Sequence, residues 1–146
     1  MTTPERVSAA ALFTLGTALL IVGLVSGTIL RHAVQAAAVF GAAVIVISRP
    51  GWSRYAALPI FGFWLFIMAL IWLYLLGLAR VVTGRFSAGE TVLTVVIGLA
   101  SLVGIASSMR IPSRSSWGKA IAAFAGAAAI QVGSVWLSVQ PFLAKR

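Results

Sequence analysis

The sequence predicts an all-α integral membrane protein, a single helical bundle over residues 1–146 with five transmembrane helices. Three observations carry that prediction. Of the 146 residues 61% are hydrophobic and 9% charged, and the mean hydropathy is +1.08. A soluble domain is about 45–50% apolar and about 25% charged. This chain lacks the polar side chains to cover its own core, so apolar surface must face lipid. The hydrophobic residues also gather into five runs of about 20 residues, the length that crosses a hydrocarbon core of about 30 Å as a helix. Third, the breaks between runs carry Gly, Pro, Ser and Arg, the residues that end helices and hold them at a membrane edge.

The first run, 7–26, opens on Thr3, Pro4 and Glu5. The expectation is Thr3 as N-cap, Pro4 at the first helical position and Glu5 beside the positive helix end. Arg6 ahead of an apolar run is also the charge layout of a secretory signal. The run is too long and lacks a small-x-small cleavage site, which predicts an uncleaved span. Gly27 is expected to close this helix in the left-handed conformation, with Thr28 capping the next. The second run, 29–48, carries Arg31 and His32 in its first turn and is stopped by Pro50 and Gly51. With one short break in 7–48, the alternative is four spans plus a re-entrant or interfacial helix.

The third run, 59–79, is the bulkiest, with Phe61, Phe63, Trp64, Phe66, Trp72 and Tyr74, and ends before Arg80. The fourth, 91–109, stops at Arg110 and Pro112, and the fifth, 120–140, at Pro141. With five spans the N-terminal edge carries Arg6, Arg49, Arg54, Arg110, Arg114 and Lys119, against Arg31, Arg80, Arg85, Lys145 and Arg146 on the other edge. The positive-inside rule then places loops 49–58 and 110–119 in the cytoplasm, by one charge. The expected location is an inner or plasma membrane of prokaryotic type.

The net charge of +9 comes from eleven Lys and Arg against two carboxylates. The basic residues lie scattered between apolar runs, which assigns Arg49, Arg54, Arg110, Arg114 and Lys119 to anionic lipid head groups rather than to nucleic acid. The chain has no cysteine, which excludes disulfides, thiolate metal sites, iron–sulfur clusters and cysteine nucleophiles.

Each polar residue inside or beside a span has a bland and a functional reading. Glu90 closes Ser87-Ala88-Gly89-Glu90, a Ser-x-x-Glu capping box before an apolar run; a cation or proton site is the alternative. His32 is the sole histidine, either an interfacial side chain beside Arg31 or a proton relay or pigment ligand. Gln131 lies within the fifth span, where an unpaired amide is costly. With Ser134 and Ser138 it forms a stripe for interhelical hydrogen bonds or for substrate contact.

Small residues recur at helical spacing: Gly16, Gly23 and Gly27 in the first span, Thr94, Gly98, Ser101, Gly104 and Ser108 in the fourth, and Ala122, Gly126, Ala129 and Gly133 in the fifth. Such faces let helix backbones approach closely, and the fourth and fifth spans are expected to pack on each other. Phe61, Trp64, Met68 and Trp72 share one face of the third span, read as lipid-facing or as a seat for a quinone, a pigment or a partner helix. Trp52, Tyr55 and Trp117 read as interfacial anchors.

No nucleophile–base set, metal-ligand cluster or phosphate-binding glycine loop occurs, so no enzyme or required cofactor is expected. No span carries a charge at its centre, as a coupled transporter would require. Two classes remain. One is a non-catalytic accessory or structural subunit packing against a larger membrane complex. The other is a homo-oligomeric channel or small-molecule transporter, with Gln131–Ser134–Ser138 and Thr94–Ser108 lining its path.

Overall fold

The computed structural model describes residues 1–49, 51–80, 84–112 and 115–144. Pro50, Arg114, Lys145 and Arg146, to which stop, lipid or orientation roles were assigned above, lie outside the described residues. Among the described residues five helices are long and apolar enough to cross a membrane: α1 Thr3–Val25, α2 Ile29–Ser48, α3 Ser53–Leu75, α4 Ala88–Met109 and α5 Trp117–Ser138. A single turn, α6 Pro141–Ala144, follows. There is no strand among the described residues.

Helix ends follow cap chemistry more closely than apolar run length. The N-cap of α1 is Thr2, not Thr3: Glu5 stands three residues after Thr2, and its Oε2 accepts the Thr2 backbone N–H at 2.6 Å. That spacing fixes the first turn, and Pro4 falls at its second position. Gly27 has φ +70°, and the Thr28 N–H reaches back to the Gly23 carbonyl at 2.8 Å, a Schellman ending. The Thr28 hydroxyl does not cap α2; it bonds to the Ser26 hydroxyl and lies 3.0 Å from His32 Nδ1.

The third helix runs Ser53–Leu75 rather than 59–79. Gly77 ends it at φ +73°, with the Leu78 N–H on the Leu73 carbonyl at 2.8 Å. Its first turn is anchored by Ser53, whose buried Oγ donates to the Val46 carbonyl at 3.1 Å. Pro59 therefore sits inside the helix and is buried. It gives up one backbone bond, a loss that neighbouring helices make tolerable in a membrane. The α5 helix starts at Trp117, three residues before the apolar run suggests.

The helices close a ring in the order α1, α2, α5, α3, α4 and back to α1, and α2 also touches α3 across the middle. Consecutive helices alternate in direction. Ser8 near the start of α1 therefore meets Ser108 at the end of α4, and Gln35 near the start of α2 meets Ser138 at the end of α5. The core holds Leu12, Leu15, Val39, Ile60, Phe61 and Ile97.

Contrary to expectation, α4 and α5 make no contact among the described residues. The reason is a size match. The small face of α4 receives the large aromatics of α3 instead of another small face, and α3 separates the two helices. The first span behaves similarly. Gly16 lies against the Phe40 ring and Gly23 against His32, both on α2. These glycines give α1 and α2 their close approach, while Gly27 serves the turn.

Candidate functional site

Thr94, Gly98, Ser101, Gly104 and Ser108 face inward from α4. An added Cβ at Gly104 would lie 2.2 Å from the Phe61 ring, and one at Gly98 2.2 Å from the Trp72 ring. Trp72 Nε1 donates to Thr94 Oγ1 at 3.0 Å. Ser101 and Ser108 are fully buried. Ser101 Oγ returns to its own helix at Ile97 O (2.8 Å), and Ser108 Oγ pairs with Ser8 Oγ at 2.9 Å. Hydroxyls in hydrocarbon need partners, and this face supplies them inside the monomer.

The aromatic face of α3 is correspondingly not turned to lipid. Phe61, Trp64 and Met68 are 0%, 5% and 3% exposed, and Trp72 is half-buried. They fill the space that α4's small residues leave, so the face is occupied by the protein's own packing rather than presented to a pigment, quinone or lipid.

The polar stripe of α5 is internal at Gln131 and Ser138, while Ser134 is half-buried. Gln131 and Ser138 are fully buried. Gln35 Nε2 donates to Ser138 Oγ at 2.8 Å, joining α2 to α5. Gln131 Nε2 makes a long bond of 3.4 Å to Ser134 Oγ, and its Oε1 has no partner. Trp64 Nε1, on the adjacent α3, is likewise buried without one. Gln35 and Ser8 went unnamed in the sequence reading. The signal for Gln35 was present: it is an amide inside an apolar run, like Gln131. Ser8, one small hydroxyl among alanines, offered none.

Of the caps, Ser87 and Glu90 exchange bonds at the start of α4: the Ser87 N–H reaches Glu90 Oε2 at 2.7 Å and the Glu90 N–H reaches Ser87 Oγ at 3.2 Å. The fold brings His32 to the same membrane edge, within electrostatic range of Glu90. Among the described residues no three His, Asp or Glu side chains gather as a metal site.

The open surface of the bundle is on α5. Only 17% of its spanning window is buried, against 39–50% in the other four helices. Its buried side carries Ala120, Ala123, Gln131 and Ser138. Ala122, Gly126, Ala129 and Gly133 lie on the opposite side and are exposed, with nothing within 4 Å of a Cβ built at either glycine. Beside this stripe, α2 and α5 part to leave an apolar groove of about 340 Å³, lined by Ala38, Gly41, Ala42, Ile60, Ala127 and Ser134 among others. No protein-family model, no curated protein and no solved structure matches this chain.

Proposed function

We propose that the protein is a non-catalytic accessory or structural subunit of a larger membrane complex, and that α5 is the helix it offers to its partner. The observation that carries this reading is the outward stripe Ala122–Gly126–Ala129–Gly133 on the least buried helix. Lipid chains pack against large apolar side chains as readily as against glycine. A run of small residues is useful chiefly to another helix, whose backbone it lets approach. The same surface on α4 and α1 is already filled by Phe61, Trp72 and Phe40; on α5 it is open. The occupant proposed is a transmembrane helix of another subunit, with bulky side chains seated over Gly126 and Gly133 as Phe61 is seated over Gly104.

A homo-oligomeric channel or transporter draws less support from the geometry. Both stripes that would line its path, Gln131–Ser134–Ser138 and Thr94–Ser108, are directed into the monomer and largely hydrogen-bonded there. The outer surface of α5 is left with alanine, glycine and large apolar residues. The accompanying orientation puts the α2–α3 and α4–α5 connections in the cytoplasm of an inner or plasma membrane.

Purification in mild detergent followed by mass measurement tests the reading. It predicts stoichiometric foreign subunits, lost when Gly126 and Gly133 are both replaced by leucine with the unfolding midpoint unchanged. A clean homo-oligomer that conducts ions in liposomes overturns it.

A further inference from the structure

At the N-terminal edge, the loop between α2 and α3 and the approach to α5 form a polar cleft of about 460 Å³, lined by Ser48, Arg49, Gly51, Trp52, Ser115, Ser116 and Lys119. We infer that this cleft is a binding site for a phosphate group. Three features of different kinds converge there.

The first is charge. Arg49, the C-cap of α2, and Lys119, in the first turn of α5, are 70 positions apart in the chain, yet both line one cavity. The protein has only two carboxylate side chains. Glu5 is engaged at the α1 N-terminus and Glu90 lies at the opposite edge, so neither cation has an acidic partner among the described residues. Both are exposed, and two cations on one cleft without an internal counter-ion give it a positive potential that attracts an external anion.

The second is donor chemistry. Ser116 brings a hydroxyl to the walls, whereas the Ser48 hydroxyl is already donated to the Val44 carbonyl at 2.7 Å. The α5 helix begins at the cleft with Ser116 as an extended N-cap whose side chain makes no cap bond, and the unpaired first-turn amides form the positive end of a long helix there. Arginine, lysine, hydroxyl and amide donors together match the oxygens of a phosphate.

The third is construction. Ser115 Oγ donates to the Gly51 carbonyl at 2.6 Å and ties the two loops together. The walls are therefore held in place by a bond that uses neither cation. Trp52, 42% exposed, flanks the cleft where an interfacial tryptophan meets head groups. Arg110, on the same edge, lines a different and mainly apolar hollow with Val7, Val103 and Ala106. Among the described residues, the two cations that line the cleft are Arg49 and Lys119.

Two sources share this chemistry: the head group of an anionic phospholipid and free inorganic phosphate. The test uses the full chain in neutral detergent with phosphatidylglycerol, phosphatidylcholine and inorganic phosphate as probes, and reads apparent Kd by native mass spectrometry and calorimetry. At about fivefold per basic residue near a head group, the R49Q/K119Q double variant weakens binding about 30-fold, and R110Q by less than about fivefold. Phosphatidylglycerol binding alone assigns the site to a lipid; inorganic phosphate binding with the same variant dependence assigns it to a soluble anion. Either outcome supports the inference. Equal losses in R110Q and the double variant, no loss in the double variant, or no preference over phosphatidylcholine overturns it, provided both variants keep the wild-type unfolding midpoint.

Discussion

Replacing Gly104 by alanine puts a methyl group into space that the Phe61 ring now fills. The added Cβ would lie 2.2–2.4 Å from three atoms of that ring, whereas unstrained carbon contacts lie at about 3.5–4.0 Å. The ring must withdraw by roughly 1.3 Å to restore contact, and it is fully buried. Overpacking of this kind costs about 1–3 kcal/mol. Gly98→Ala makes a similar clash with Trp72, but Trp72 is only half-buried. Its ring can tilt outward at the expense of the 3.0 Å bond to Thr94, an intramembrane bond worth about 0.6 kcal/mol.

The assay is reversible unfolding in mixed micelles, with Gly126→Ala as reference because nothing stands within 4 Å of its added methyl. Gly104→Ala should lose about 2 kcal/mol, and trimming the ring in Gly104→Ala/Phe61→Leu should recover at least half of that. Gly126→Ala should be neutral or slightly stabilising, since alanine is the better helix former. A neutral Gly104→Ala, or a double variant in which the two losses simply add, would refute the packing of Phe61 on Gly104.

Other outcomes follow from the same geometry. Gln131→Leu should leave the fold intact and raise stability by up to about 1 kcal/mol, because it removes a buried acceptor that has no partner; a loss above 2 kcal/mol in the same unfolding assay would mean Gln131 Oε1 is bonded. A double-mutant cycle with Ser8→Ala and Ser108→Ala should give a coupling of about 0.6–1.7 kcal/mol for the 2.9 Å bond between α1 and α4; zero coupling contradicts that pairing. Ser87→Ala should cost about 1 kcal/mol through the lost α4 cap, measured by denaturant titration. Because the chain has no cysteine, single cysteines replacing Leu30, Leu78 and Trp117, all exposed near helix ends, report topology with a membrane-impermeant maleimide. Leu30 and Leu78 should label from one side and Trp117 from the other; labelling of Leu30 with Trp117 would favour the re-entrant alternative to α1 and α2.

Span number and order were readable because run length and polar breaks are global properties of the sequence. Boundaries were less so. Pro59 looks like a helix start when only apolar length is counted, yet Ser53 begins α3 six residues earlier through bonds to the end of α2. At its other end Gly77, not Arg80, stops the helix, because a left-handed glycine decides the ending locally whatever the hydropathy beyond it. Partnership was the least readable. Phe61, Trp64, Met68 and Trp72 form a stripe that would suit lipid equally well, and only the small face of α4 opposite makes it core. The small faces of α4 and α5 look alike in sequence. One is filled by the aromatics of α3; the other is open, because α5 meets α2 and α3 through its opposite side. Gln131 and Ser138 read as packing or path; the fold turns both inward, and the partner that completes the link for Ser138 is Gln35, a hundred positions away in the chain.

The proposed role of α5 is tested most directly by a photo-crosslinking amino acid placed singly at Gly126 and Gly133, with Val44 on α2 and Leu99 on α4 as exposed controls. Irradiation in native membranes should yield one discrete protein adduct from both α5 positions, heavier than two copies of this chain can account for in at least one resolved component, and none from the controls. Lipid adducts alone at Gly126 and Gly133, or the same protein adducts from all four positions, would contradict the account.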